Sequence, residues 1–322
     1  MKVLITGTSG FIGTNFVDMY LKNTDYEVVG VSKFTQASYA KRTIDRVAKE
    51  NKKFTQYWCD MTDYIRLSKI LSKEKPDQII HMAAEADVSR SFDYPYDFLK
   101  TNVEGTVNLL EWLKENSGSK AIVFSTDEVF SSEALTEHYS KEYERLNPQN
   151  PYSASKAAME MFINSYNIAF DTDVTIVRPT NQFGPYQGVN RLFAKMIVRC
   201  IENDPFTLFK ETHNHIRWWC YVEDTYNAIN LIMEKGKPKD IYNIVSENGL
   251  TVQDVVFKIL DKFGSRNLFK GYTDIRQKDD ENYALDGSKL RALGWKERYT
   301  FDEALDHTIE WYKENLSWFG KK

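Results

Sequence analysis

A chain of 322 residues is long enough for one large or two modest domains around a substantial core, and 42% hydrophobic with 27% charged residues is ordinary for a globular protein. The net charge of -4 and pI of about 5.9 provide no general basic field, so nucleic acid is not an expected partner, while a small anionic ligand stays open. Three scattered cysteines (Cys59, Cys200, Cys220) exclude a disulfide framework and fit reduced, buried thiols. With no apolar run near ~18 residues and no signal-peptide pattern after Met1-Lys2, a cytoplasmic protein free of membrane is expected.

Lys2 to Thr6 reads as a buried strand, and Gly7-Thr8-Ser9-Gly10-Phe11-Ile12-Gly13 follows where a helix through about Leu21 begins. Glycines there permit a tight turn and close backbone approach, so that helix-start N–H groups can hold a pyrophosphate. Further strands are expected at Val28 to Val31, Phe54 to Trp58, Gln78 to Met82, Ala121 to Ser125 and Val174 to Val177, separated by stretches of helical character. That alternation predicts an α/β fold, a Rossmann-type parallel sheet with helices on both faces. Right-handed crossovers bring the strand ends to one edge, which gathers Gly7, Ala83-Ala84-Glu85, Thr126-Asp127-Glu128 and Arg178 at a common cleft.

Beyond Pro179 the pattern loosens into a smaller substrate-binding lobe. Asn181 to Tyr186 reads as loop, Leu192 to Glu202 as helix, Phe206 to Phe209 as a short strand, Asp224 to Lys235 as helix and Ile241 to Val245 as strand. Thr251 to Phe263 and Phe301 to Trp318 read as helices. The predicted division is a dinucleotide-binding domain over 1–178 and the lobe over 179–322, with segments at about 218–245 packing back on the first domain. His213 and His215 flank Asn214 without a third ligand, so no metal is expected, and Trp218-Trp219 reads as core.

The chemistry concentrates after the Ala121 strand. Thr126, Asp127 and Glu128 offer a hydroxyl beside two carboxylates, the equipment of an elimination: one carboxylate takes a proton from carbon and one carboxylic acid protonates a departing hydroxide. The same Asp-Glu pair also suits an exposed turn or helix start. Tyr152 and Lys156 share a helix face at i, i+4, where an ammonium would lower the phenol's pKa.

These residues resemble the extended short-chain dehydrogenase/reductase family, and within it the nucleotide-sugar 4,6-dehydratases of the dTDP-glucose type. Gly7, Gly10 and Gly13 match Thr-Gly-x-x-Gly-x-x-Gly, and Ser125 to Phe130 is similar to Ser-Thr-Asp-Glu-Val-Tyr. Asn150 to Lys156 looks like the Tyr-x-x-x-Lys helix, Arg178 to Asn181 like the stretch reaching nicotinamide and sugar, and Arg217 like the diphosphate-binding arginine. The resemblance implies cofactor contacts from Gly7, Gly10, Phe11, Ile12, Gly13, Ser32, Lys33, Asp60, Met61, Ala83, Ala84, Thr101, Tyr152 and Lys156. It implies substrate contacts from Glu85, Ser91, Asn181, Arg191, Leu192, Phe209, Arg217 and Asn243. It also departs from the pattern: Ser32 replaces an Asp, Phe130-Ser131 a Tyr-Gly, Gln182 an Asn, Phe209 a Tyr, and Glu281-Asn282 an Arg pair before Tyr283.

The implied reaction takes a UDP- or dTDP-hexose of the glucose or N-acetylglucosamine type to its 4-keto-6-deoxy product. Tyr152, aided by Lys156 and Thr126, takes the O4 proton, Glu128 takes the C5 proton, and Asp127, kept protonated by its carboxylate neighbour, protonates the leaving hydroxyl. A sugar-nucleotide 4-epimerase or decarboxylase is an alternative on the same fold, and a non-catalytic dinucleotide-binding regulatory protein is another. Without an acid at Ser32, and with Lys33, Lys41 and Arg42 close by in sequence, the cofactor expectation tilts from NAD to NADP. A homodimer is implied, with apolar surface from Phe98, Leu109, Met159 and Phe162.

Overall fold

A computed structural model describes residues 1–34, 39–130, 138–210, 213–274 and 284–316, with backbone alone at 39–43 and 46. The first half alternates without interruption: β1 (Lys2–Thr6), α1 (Phe11–Asn23), β2 (Glu27–Ser32), α2 (Tyr39–Glu50), β3 (Phe54–Trp58), α3 (Tyr64–Glu74) and β4 (Gln78–His81). Then come α4 (Val88–Asp93), α5 (Pro95–Phe98), a π-helical turn over Leu99–Glu104, α6 (Gly105–Glu115), β5 (Lys120–Phe124), α7 (Pro151–Ala169) and β6 (Val174–Pro179). Helix starts are marked in the sequence, because Asp63 and Asp87 accept backbone N–H bonds at the starts of α3 and α4, and Asn150 with Ser153 forms a reciprocal cap on α7.

Seven parallel strands pair in the order β10-β6-β5-β4-β1-β2-β3, where β10 (Ile241–Ile244) is contributed from beyond residue 178. Alternate residues serve opposite faces. Val3, Ile5, Ile80, Ile122 and Val177 enter one core, and Leu4, Val29, Ile79, Val123 and Ile176 the other. Because the strand order reverses between β1 and β4, the carboxyl ends of those two strands open a crevice that receives the segments after β1, β4 and β5.

The rest comprises β7 (Asn181–Phe183), α8 (Leu192–Glu202), β8 (Phe206–Phe209), β9 (Ile216–Tyr221) and α9 (Val222–Lys235). After β10 follow β11 (Gly249–Thr251), α10 (Val252–Phe263), β12 (Phe269–Thr273), α11 (Ser288–Ala292) and α12 (Phe301–Asn315). The expected loop at Asn181 to Tyr186 is instead strand over its first three residues, since Asn181, Gln182 and Phe183 pair with Trp219, Cys220 and Tyr221. Polar residues before Gly184-Pro185 imitate a turn locally, and their partner lies almost forty positions away. Trp219 is buried and stacks edge-on to Phe193. The predicted end of the last helix at Trp318 lies outside the described residues, as do Ser131, Glu281, Asn282 and Tyr283.

Two expectations about side-chain direction are corrected. Arg178 does not reach the cleft. It is 1% exposed and donates from Nε and Nη2 to the Glu160 carboxylate at 3.0 and 2.5 Å and from Nη1 to the Glu142 carbonyl at 2.8 Å. Phe98, Leu109 and Met159 face their own core rather than a partner. Exposed apolar groups of this region include Tyr96, Leu99, Met161 and Phe162.

Candidate active site

The glycine turn is built for a dinucleotide. Gly7 has φ +79°, and a Cβ there would lie 2.8 Å from the Ala83 nitrogen, while one at Gly13 would lie 2.2 Å from the Gly7 carbonyl oxygen. No side chain caps α1, so its first-turn amides, from Phe11, Ile12 and Gly13, remain available to a pyrophosphate. Ser32 closes this turn from behind: its Oγ accepts the Ser9 N–H at 2.9 Å and pairs with Thr8 Oγ1 at 2.9 Å. Its hydroxyl is therefore committed to the turn, in place of the expected direct phosphate contact. Lys33 lies 3.6 Å from Asp60, whose carboxylate accepts from Thr62, and Met61 is buried beneath Gly105. The side chains of Lys41 and Arg42 lie outside the described set.

A polar chain ties this turn to the segments beside it. Thr6 Oγ1 accepts from the Met82 and Ala83 amides, so its own proton goes to His81 Nδ1 at 2.7 Å. His81 Nε2–H then donates to Thr106 Oγ1 at 3.0 Å, and Thr106 donates to the Asn102 carbonyl at 2.7 Å. The Asn102 amide, next to Thr101 in the π-helical turn, pairs with both backbone groups of Glu85 and donates to Ser155 Oγ, which donates to the Tyr152 carbonyl. Ala83, Ala84 and Glu85 are thus held between the glycine turn and the helix that carries Tyr152.

At the end of β5 the backbone turns once through Asp127–Val129, and the Glu128 amide donates to Thr126 Oγ1 at 3.3 Å. Asp127 is 5% exposed, and burial pushes its carboxyl up to about 6; the bond it accepts from Thr126 at 3.1 Å and the Arg217 charge act in the other direction. Desolvation, rather than the neighbouring carboxylate, is the leading cause. Glu128 is half-buried and accepts from Asn150 Nδ2 at 3.3 Å, a bond that joins it to the cap of the Tyr152 helix.

Tyr152 departs from expectation in the same way. Burial, then the Glu128 carboxylate, raise its phenol above the ordinary range, while the hydrogen-bonded Thr126 hydroxyl acts against them. The Lys156 ammonium bonds the Phe124 carbonyl and lies 3.7 Å from Met159 Sδ, and burial lowers it to about 8 despite the Glu160 charge.

Glu128 also lines a cavity of about 570 Å³ whose walls include Asn181, Arg191, Leu192, Phe209 and Arg217. Glu85, Ser91 and Asn243 are not on that wall. Glu85 pairs with Arg90, Ser91 is fully buried and donates to the Val88 carbonyl, and Asn243 donates to the carbonyls of Ser140 and Asp286. Sequence reasoning missed Asp87, Lys195 and Arg199 on the wall and set His213 and His215 aside, although both line it. The four-residue spacing of Arg191, Lys195 and Arg199 on one predicted helix is the signal that was available.

A model of the family described as GDP-mannose 4,6 dehydratase matches residues 4–308. The chain belongs to that family. It is a nucleotide-sugar 4,6-dehydratase of the extended short-chain dehydrogenase/reductase group, and similar proteins share its full length. The probable dTDP-glucose 4,6-dehydratase of Sinorhizobium fredii is 33% identical, covering 99% of this chain and 95% of its own. A dTDP-glucose 4,6-dehydratase from Streptomyces venezuelae, solved with NAD, superposes at TM-score 0.90 and 30% identity over 99% of both chains. The UDP-glucose 4-epimerase of Thermotoga maritima reaches 0.88 at 27% identity, covering 98% of this chain and all of its own. Dehydratase and epimerase thus share one scaffold.

Among the described residues, no cluster of three or more His, Cys, Asp or Glu could hold a metal ion, and no helix is long and apolar enough to cross a membrane. Burial raises the thiols of Cys59 and Cys200 to about 11 and that of Cys220 to about 12, as expected for inert cysteines.

Proposed function

We propose that the chain removes water across C5 and C6 of a pyrimidine nucleoside-diphosphate hexose, the glucose or 2-acetamido-glucose type, giving the 4-keto-6-deoxy sugar nucleotide. The observation that carries this reading is the unequal pair after β5: a carboxyl held up near 6 by burial beside a carboxylate that opens onto the cavity. Two carboxyl groups in unlike surroundings are how one site runs acid and base chemistry together.

When bound, a dinucleotide would supply a hydride acceptor for C4 and a hydride donor for C6, and C5 regains a proton at the end, so that the net loss is water. Tyr152 takes the O4 proton, with Thr126 at its hydroxyl lowering the cost of the phenolate and the Lys156 ammonium close in the same helix. A ketone at C4 acidifies C5. Glu128, oriented by Asn150, removes that proton, and Asp127 gives its own to the hydroxide leaving C6. Arg217 suits the diphosphate, Arg191 the sugar end of the cavity, and Phe209 the base.

NADP is favoured over NAD, because a buried serine at the end of β2 offers no charge to repel a 2′-phosphate and Lys33 adds one that attracts it. The protein acts as a homodimer through Tyr96, Leu99, Met161 and Phe162 of the adjoining α5, π-helical turn and α7.

The test is Glu128→Gln mixed with UDP- and dTDP-hexoses. Dehydration should fall at least about a hundredfold while substrate binding stays near normal, so reduced nicotinamide absorbing at longer wavelength builds up. Full turnover by that variant would remove Glu128 as the base. Product mass separates dehydration, which loses water, from epimerisation, which does not.

A further inference from the structure

The chain carries a net charge of -4, yet one wall of its cavity is cationic. Arg191 stands at the N-cap of α8, and Lys195 and Arg199 follow at intervals of four, so the three share a helix face, and all three line the cavity. At about 1.5 Å per residue the row extends for about 12 Å. Its two ends can be located. The Arg191 charge bears on the Tyr152 phenol, at the reacting end, while the Arg199 guanidinium sits 6.0 Å from the centre of the Phe206 ring, at the aromatic end.

The two outer members are partly engaged. Arg191 donates to the Ala86 carbonyl at 3.4 Å, and Arg199 lies 3.3 Å from the Asp204 carboxylate. Lys195 differs from both: its side chain is exposed, and among the described residues its ammonium has no hydrogen bond or ion pair. An unspent cation on a flexible stem, midway along a cavity between a sugar end and a base end, lies where a nucleoside-diphosphate sugar carries its two negative charges.

We propose that Lys195 is a diphosphate-binding residue, closing on the phosphates from α8 while Arg217 holds them from β9. This rests on reading the cavity as a nucleoside-diphosphate site and extends the contacts expected there. Lys195 takes no part in proton transfer. It strengthens ground state and transition state alike, so its removal should raise KM and leave kcat nearly unchanged.

Calorimetric titration of the purified protein with UDP and with dTDP decides the matter without relying on turnover. Lys195→Gln should weaken the tighter of the two about tenfold, Lys195→Arg should stay within about threefold of the parent, and in the parent the affinity should fall with added salt more steeply than in Lys195→Gln. Melting temperature should not change, since the side chain is exposed. Equal affinities in Lys195→Gln and the parent, or a parent that binds neither diphosphate, would overturn the assignment. A parent that binds UDP in a Lys195-dependent way but dehydrates no hexose would sink the dehydratase reading and leave this one standing.

Discussion

Asp127→Asn separates the energetic cost of the acid from its use. Holding a carboxyl at about 6 instead of 3.8 means that its ionised form costs the folded state about 3 kcal/mol, at about 1.4 kcal/mol for each unit of pKa. Because the folded value is the higher one, that cost is absent below about pH 4, grows as pH rises from 3.8 to 6, and is complete above. An asparagine keeps the oxygen that accepts from Thr126 and removes the charge. At pH 8 the variant should therefore be more stable by up to about 3 kcal/mol, which at about 2.1 cal/mol/K per residue over this chain is about 4 °C in Tm. Scanning calorimetry of the two proteins at pH 8 and pH 4 should show a gap that closes in acid, while dehydration is lost at both. A gap that is the same at both pH values, or an asparagine variant that melts lower at pH 8, would refute desolvation as the source of the raised value.

Three further outcomes follow from the packing. Gly13→Ala places a methyl group on the Gly7 carbonyl and should yield protein without dinucleotide, read from the absorbance released on denaturation; retained stoichiometric cofactor would contradict the turn geometry. Arg178→Leu strands a buried carboxylate and should cost about 3–5 kcal/mol, whereas Arg178→Leu with Glu160→Leu should recover part of it. Denaturant midpoints test this, and a double variant no more stable than the single would argue against the ion pair as the source. Phe162→Glu should convert a dimer to monomer in light scattering, and a parent protein that is already monomeric at working concentration would dispose of the dimer.

What could be read from the sequence was what short-range chemistry writes there. Val3, Leu4 and Ile5 declare a strand buried on both faces, Gly7 to Gly13 a turn that admits backbone alone, and Thr126 to Glu128 a hydroxyl beside two carboxylates. The hidden parts are long-range. Nothing around Asn181 announces that it will pair with Trp219, and nothing in Tyr-x-x-x-Lys tells where the lysine ammonium will point once Phe124 offers a carbonyl. Directions at helix interfaces are likewise set by tertiary packing, which is why Phe98, Leu109 and Met159 turned inward while Phe162 did not. Ser32 illustrates a subtler limit. Its hydroxyl is as good a donor to a phosphate as the sequence suggests, but Thr8 Oγ1, whose own proton goes to Gln56, takes that proton first.

The chain of bonds from Thr6 through His81 to Asn102 has one direction only. Two amides occupy the lone pairs of Thr6, which aims its proton at His81 Nδ1 as acceptor and leaves the imidazole a single tautomer, protonated on Nε2. Burial, with the Lys156 charge, lowers that ring to about 3, so it stays uncharged throughout the range in which Asp127 gains and loses its proton. The joint between the glycine turn and the tyrosine helix is therefore silent to acidity while the group it serves is responsive, and a drop in pH can load the acid without loosening the frame that aims it.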